Sequence, residues 1–137
     1  MTRQFIGALT LLVADYDEAI DFFTEGLGFE LLEDSPLDEP SKPGKRWVRV
    51  APKGASGSAL LLAQAANAQQ QAAIGQQGGG RVFLFLESDD FWRDYRRMQA
   101  YGVHFCELPR TEPYGTVVVF ADISGNRWDL LQRTAAN

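Results

Sequence analysis

Leu9 to Glu33 reads LTLLVADYDEAIDFFTEGLGFELLE, and Phe83 to Pro109 answers it with FLFLESDDFWRDYRRMQAYGVHFCELP. In each stretch an apolar β-rich run leads to an acid, an amphipathic helix pattern, a glycine and a second strand pattern. Asp15 precedes Gly28 by thirteen residues and Asp89 precedes Gly102 by the same number. The ends match as well, because Ser58 to Gln64 (SALLLAQ) lies over Asn126 to Gln132 (NRWDLLQ) without a gap. An internal duplication of this kind predicts an α+β fold of two βαβββ modules in pseudo-twofold arrangement, forming a concave mixed sheet with a central cleft.

Working outward, Asp15 or Asp17 caps the first helix, since an aspartate accepts hydrogen bonds from the free N–H groups at a helix start. Ala19, Phe22, Phe23 and Leu27 recur at helical spacing, while Asp17, Glu18, Asp21 and Glu25 face outward. Gly26 and Gly28 end it. Strands follow at Phe29 to Glu33, Trp47 to Val50 and Ala59 to Ala63, with loops at Asp34 to Lys45 and Pro52 to Gly57. The second half repeats the plan. It has a strand to Glu87, a cap at Asp89 or Asp90, a helix over Phe91 to Ala100, and strands at His104 to Cys106, Thr116 to Phe120 and Arg127 to Gln132. Pro109 to Tyr114 reads as a loop and Thr134 to Asn137 as a frayed tail. The whole is one domain, with half one at about 4–64, a linker over 65–80 and half two at about 81–133. The linker's Ala65 to Gln77 favours helix by propensity. Its Gly78-Gly79-Gly80 is not a phosphate loop, because neither Lys-Ser nor a helix follows.

With 137 residues, 45% of them hydrophobic, the chain can bury one good core. A net charge of -5 argues against nucleic acid, whose binding rests on neutralising phosphates with Lys and Arg. No apolar stretch approaches the roughly twenty residues of a membrane helix, and no leader pattern opens the chain, so no membrane partner and a cytoplasmic location are expected. Cys106 is the lone cysteine and reads as a buried strand thiol. Ser56, Ser58 and Ser124 lack the surroundings of a nucleophile, and His104, the lone histidine, reads as a surface strand residue.

Val13-Ala14-Asp15, Ala19 to Phe23, Gly26-Leu27-Gly28-Phe29, Tyr114-Gly115 and Phe120 to Leu130 (FADISGNRWDL) together resemble the vicinal oxygen chelate superfamily. That group includes glyoxalase I, extradiol dioxygenases and the fosfomycin and bleomycin resistance proteins. Its metal-using members hold a divalent ion with four His or Glu side chains. The resemblance puts those positions at Ala8, Leu61, Val82 or Phe83, and Asp129. Only Asp129 carries a donor, and one carboxylate cannot supply the three or four protein ligands such a site needs. If Phe83 is the aligned residue, Glu87 shares its face and could join Asp129 around a hydrated Mg²⁺ or Mn²⁺. If Val82 is, Glu87 points the other way.

The reading that follows is a binding protein for a small organic molecule, without cofactor or catalytic metal and working as a homodimer. Its cleft would be lined by Thr10, Trp47, Arg49, Phe83, Phe85, Tyr114, Arg127 and Asp129. Arg49 or Arg127 would clamp a carboxylate and Trp47 or Tyr114 would stack on a ring. The alternatives are an enzyme, a metal-dependent glyoxalase-like lyase or dioxygenase built on Asp129 and Glu87, and a structural dimerisation module. Trp128 and Asp129 alternate, which places Trp128 in the core and Asp129 in the cleft.

Overall fold

A computed structural model describes residues 3–37, 40–54 and 57–135, so Ser56, Ala136 and Asn137 lie outside the described residues. The chain forms two compact units that meet between Gln71 and Ala72. In the first, β1 (Ala8–Val13) leads into α1 (Tyr16–Asp21) and a π-helical turn (Phe22–Gly26), then β2 (Glu30–Pro36), β3 (Arg46–Ala51) and β4 (Ala59–Gln64). A short helix, α2 (Ala68–Ala73), spans the boundary. The second unit runs β5 (Val82–Glu87), α3 (Phe91–Tyr101), β6 (His104–Phe105), β7 (Arg110–Glu112), β8 (Gly115–Ala121) and β9 (Arg127–Arg133).

Each unit closes one mixed sheet by the same rule. The first strand pairs in parallel with the last, giving the orders β1-β4-β3-β2 and β5-β9-β8-β6, and all other pairs are antiparallel. The parallel pairing requires a crossover, and the amphipathic helix supplies it. Alternation then sorts the side chains. Leu11, Val13, Val48, Val50, Leu60 and Leu62 are buried on one face of the first sheet, while Ala19, Phe22 and Phe23 bury the apolar side of the helical segment. In the second unit Val118, Phe120, Trp128 and Leu130 are buried, as are Phe91, Tyr95 and Met98 from α3. Trp128 is in the core, stacked on Phe120 at 5.7 Å between ring centres.

The caps resolve the repeat. Asp15 Oδ1 accepts from Glu18 N (2.8 Å) and Asp90 Oδ1 accepts from Arg93 N (3.2 Å). Counted from these caps, Gly28 lies thirteen residues on but Gly102 only twelve. The π turn houses the extra residue: Leu27 N reaches back to Phe22 O and Phe29 N to Phe23 O, whereas α3 ends with Val103 N on Met98 O. A π turn is the way a helix takes in one residue without breaking. Both glycines adopt positive φ, 79° at Gly28 and 99° at Gly102, as left-handed helix stops require.

Four local expectations change. The strand expected to stop at Glu33 continues to Pro36, because Asp34, Ser35 and Pro36 pair with Val48, Trp47 and Arg46, and Arg46 grips Asp34 through both Nε (3.1 Å) and Nη2 (2.7 Å). The stretch expected as a loop at Pro109 to Tyr114 contains β7, held by Arg110 between Glu107 (3.1 Å) and Glu112 (2.7 Å). Cys106 is exposed, since β6 ends at Phe105, one residue before it. Thr134, expected in a frayed tail, is tied down by its N–H on Tyr114 O at 2.8 Å.

Removing one acid at a time separates the capping aspartate from its neighbour. Asp90→Ala should cost about 1 kcal/mol in urea denaturation. Asp89→Ala, which loses only a solvent-exposed ion pair to Arg93, should leave the denaturation midpoint essentially where it is.

Candidate functional site

The face of the first sheet turned away from the helix presents a row across three strand pairs. Thr10 sits opposite Leu61, Leu61 opposite Arg49, and Arg49 opposite Glu33. Leu12 and Trp47 share that face by alternation. Beside it lies a groove of about 980 Å³, lined among others by Thr10, Leu12, Trp47 and Leu61 and by Lys42 and Lys45 from the β2–β3 loop. Trp47 is 39% exposed, so an indole face is available in an otherwise half-apolar wall. Arg49 is less available, because its guanidinium bonds Glu33 at 2.6 Å. Lys45 adds a cation at the rim of this groove, whereas Arg46 is engaged by Asp17 and Asp34.

In the second unit the matching row is Phe85, Asp129 and Val119. The two rows show which residues correspond: Thr10 with Phe85 and Leu61 with Asp129. Phe85 is 62% exposed beside Asp129. Asp129 Oδ1 is buried without a hydrogen-bond partner among the described residues. Burial pushes the Asp129 carboxyl above its ordinary value, the charge of Arg110 pulls it down, and Glu107 pushes it up again. A buried acceptor that nothing satisfies costs free energy, which a bound donor would recover.

The remaining expected site residues are dispersed. Tyr114 lies at the β7–β8 turn, 45% exposed, with its hydroxyl accepting from Arg110 Nη1 at 3.4 Å. Phe83 packs against Gly78, where an added Cβ would come within 3.0 Å of the Phe83 Cβ. Arg127 opens on a separate small depression. Glu87 is bound by Arg133 Nε at 2.6 Å, so its carboxylate already has a cationic partner.

The family's metal positions do not fit a metal ion. Ala8, Leu61, Val82 and Phe83 offer no donor atom, and among the described residues no three His, Cys, Asp or Glu side chains cluster to hold an ion. Also among the described residues, no helix is long and apolar enough to cross a membrane.

A buried carboxylate that the sequence reading did not single out, Asp122, organises the β8–β9 hairpin. Asp122 Oδ1 accepts from Ser124 N (2.9 Å) and Asn126 N (3.0 Å), and Oδ2 accepts from Trp128 Nε1 (2.9 Å) and Asn126 Nδ2 (3.3 Å). The signal was present in Asp122-Ile-Ser-Gly-Asn126 followed by Trp128, a loop-initiating acid ahead of an indole whose N–H needs an acceptor once buried. Gly125, at φ 98°, makes the turn.

Three comparisons bear on this arrangement. The family model described as the Glyoxalase/Bleomycin resistance protein/Dioxygenase superfamily matches residues 5–130. An uncharacterized protein of Shewanella frigidimarina is 54% identical over 130 residues, covering 95% of this chain and 94% of that protein. Among solved structures, UcmS2 superposes with a TM-score of 0.79 at 30% identity, covering 95% of this chain and 98% of that one. TnmS3, described as an antibiotic binding protein from Streptomyces sp. CB03234, superposes with a TM-score of 0.75 at 31% identity, covering 98% and 99%.

The two carboxylates should respond oppositely to amidation. Asp122→Asn sets an amide nitrogen against donors and should cost about 2–4 kcal/mol by denaturant titration. Asp129→Asn should raise the melting temperature at neutral pH. A carboxyl whose folded pKa is raised favours folding below its unfolded pKa and loses that contribution as pH rises through the folded value. The advantage of Asp129→Asn should therefore grow from pH 4 to pH 8 and vanish at the acid end, as read by thermal melts across that range.

Proposed function

The chain belongs to the glyoxalase/bleomycin resistance protein/dioxygenase superfamily, and from that premise we propose that it binds a small organic molecule without a catalytic metal. The observation that carries the reading is the groove of about 980 Å³ in the first unit, at the upper end of the range of small-molecule sites. Its lining is of the usual kind: aliphatic walls from Leu12 and Leu61, an indole face from Trp47, and polar groups at Thr10, Lys42 and Lys45. A ligand with a planar ring would stack on Trp47, and an acidic substituent would sit against Lys45. The likeness to a protein described as antibiotic binding supports this class of ligand.

In the second unit Asp129 beside Phe85 offers the same kind of contact with the opposite polarity, an acceptor next to a ring. Metal-dependent lyase or dioxygenase chemistry would have to be built on Asp129 alone, since Glu87 pairs with Arg133. A homodimer is part of the proposal. The exposed Phe5, Ile6 and Leu108 side chains are apolar surface of the kind that a second copy covers.

A thermal-shift panel of aromatic acids, neutral polycyclic compounds and aliphatic controls tests the reading. At least one aromatic compound should raise the melting temperature and quench tryptophan fluorescence. Trp47→Ala should weaken its binding by roughly tenfold, the scale of one lost stacking contact. Treatment with a chelator should leave the affinity unchanged. A panel that moves nothing would remove the binding proposal, and affinity lost on chelation and restored by one divalent ion per chain would replace it with the enzyme.

A further inference from the structure

The wall of the first unit's groove ends on three side-chain carboxamides: Gln64 from β4, Asn67 just before α2 and Gln70 in its first turn. A carboxamide is a donor at one end and an acceptor at the other, so whatever holds one end decides what the other offers. Asn67 Oδ1 accepts from Gln70 N at 2.9 Å, and Gln70 Oε1 accepts from Ala66 N at 2.7 Å. The pair is a variant of the capping box, with the glutamine reaching one residue further back than the cap. Both partners are main-chain N–H groups, which only donate. Each amide is therefore fixed with its oxygen toward the backbone and its nitrogen on the other side.

Asn67 is exposed and Gln70 half-buried, and neither nitrogen forms a hydrogen bond among the described residues. Gln64 is held the opposite way, since its Nε2 donates to Ala14 O at 3.1 Å and its oxygen is the end left over. The rest of the wall shifts the balance further toward donors. Lys45 stands at the rim, and the lining contains no carboxylate, although the chain has 18 acidic residues against 13 basic ones. A protonated amine brought into this groove would find no anion to pair with and a cation beside it. A ligand that brings acceptors is the one that fits.

Given that this groove is the ligand site proposed above, we infer that its ligands are aromatic carbonyl compounds, with a planar ring on Trp47 and a ring carbonyl oxygen taken by the side-chain nitrogens of Asn67 and Gln70. These two residues select among ligands of similar shape. Donors that lose water to a ligand without an acceptor go unsatisfied, so an analogue lacking the oxygen is rejected. The selecting groups are side-chain nitrogens, and the short helix only holds them.

Two probes that differ by one carbonyl, fluorenone carboxylate and the matching fluorene carboxylate, are titrated calorimetrically into the whole chain and into Asn67→Asp/Gln70→Glu. That exchange keeps both capping oxygens, so α2 should persist, but it turns the two donors into acceptors. The unaltered chain should bind the ketone tighter by roughly tenfold, the scale of one or two hydrogen bonds at a partly exposed site. In the double variant that ratio should fall to one or below. The variant's added negative charge repels both carboxylates alike, which is why the ratio is read and not either affinity. A ratio near one in the unaltered chain, or a ratio that the double variant leaves unchanged, would overturn the inference and leave the groove standing, provided Trp47→Ala weakens both probes. Binding of neither probe, or binding that Trp47→Ala leaves untouched, would instead remove the groove as the site and the inference with it.

Discussion

Each unit depends on a parallel pair between its first and last strands, β1 with β4 and β5 with β9. Two strands that run the same way cannot be joined by a tight turn, so the chain must leave the sheet and return. That demand explains the capping aspartate, the apolar helix stripe and the left-handed glycine in both halves. It also fixes what the two sheet faces are for. One is consumed by the helix, and the other remains to carry Thr10, Trp47 and Leu61 in one unit and Phe85 and Asp129 in the other.

Two acids of the second unit, the buried Asp122 and the half-buried Asp129, illustrate how hydrogen-bond partners divide structural from functional groups. Asp122 is surrounded by four donors that offset much of its desolvation. Asp129 has an oxygen out of water with no partner and an arginine already shared between two glutamates. The first arrangement holds a hairpin together, and the second costs stability that the fold tolerates. Groups of the second kind are where local rules are broken in favour of binding.

Much of the architecture was legible in the sequence because it rests on short-range rules. The repeated run, acid, helix and glycine reported the crossover, and strict alternation sorted Trp128 from Asp129. What escaped was set by contacts distant in sequence. Strand β2 extends past Glu33 because Arg46 reaches Asp34, and β7 exists because Arg110 binds acids on both sides. Arg49 looked like a ligand clamp until its cross-strand partner turned out to be Glu33. The choice between Asp89 and Asp90 could not be made by spacing, since spacing favoured the wrong one.

That misleading spacing has a consequence for how such a chain can change. A single residue added between β1 and β2 would, in a rigid helix, rotate everything beyond it, and a one-residue slip in a strand exchanges its core side chains for its solvent side chains. The turn at Phe22–Gly26 absorbs the added residue before the chain re-enters the sheet. It acts as an expansion joint, and it lets one copy of a duplicated module differ in length from the other while both deliver their strands in register. A protein built this way can accept insertions in its helices and keep the divergence of its binding faces free of any change in backbone plan.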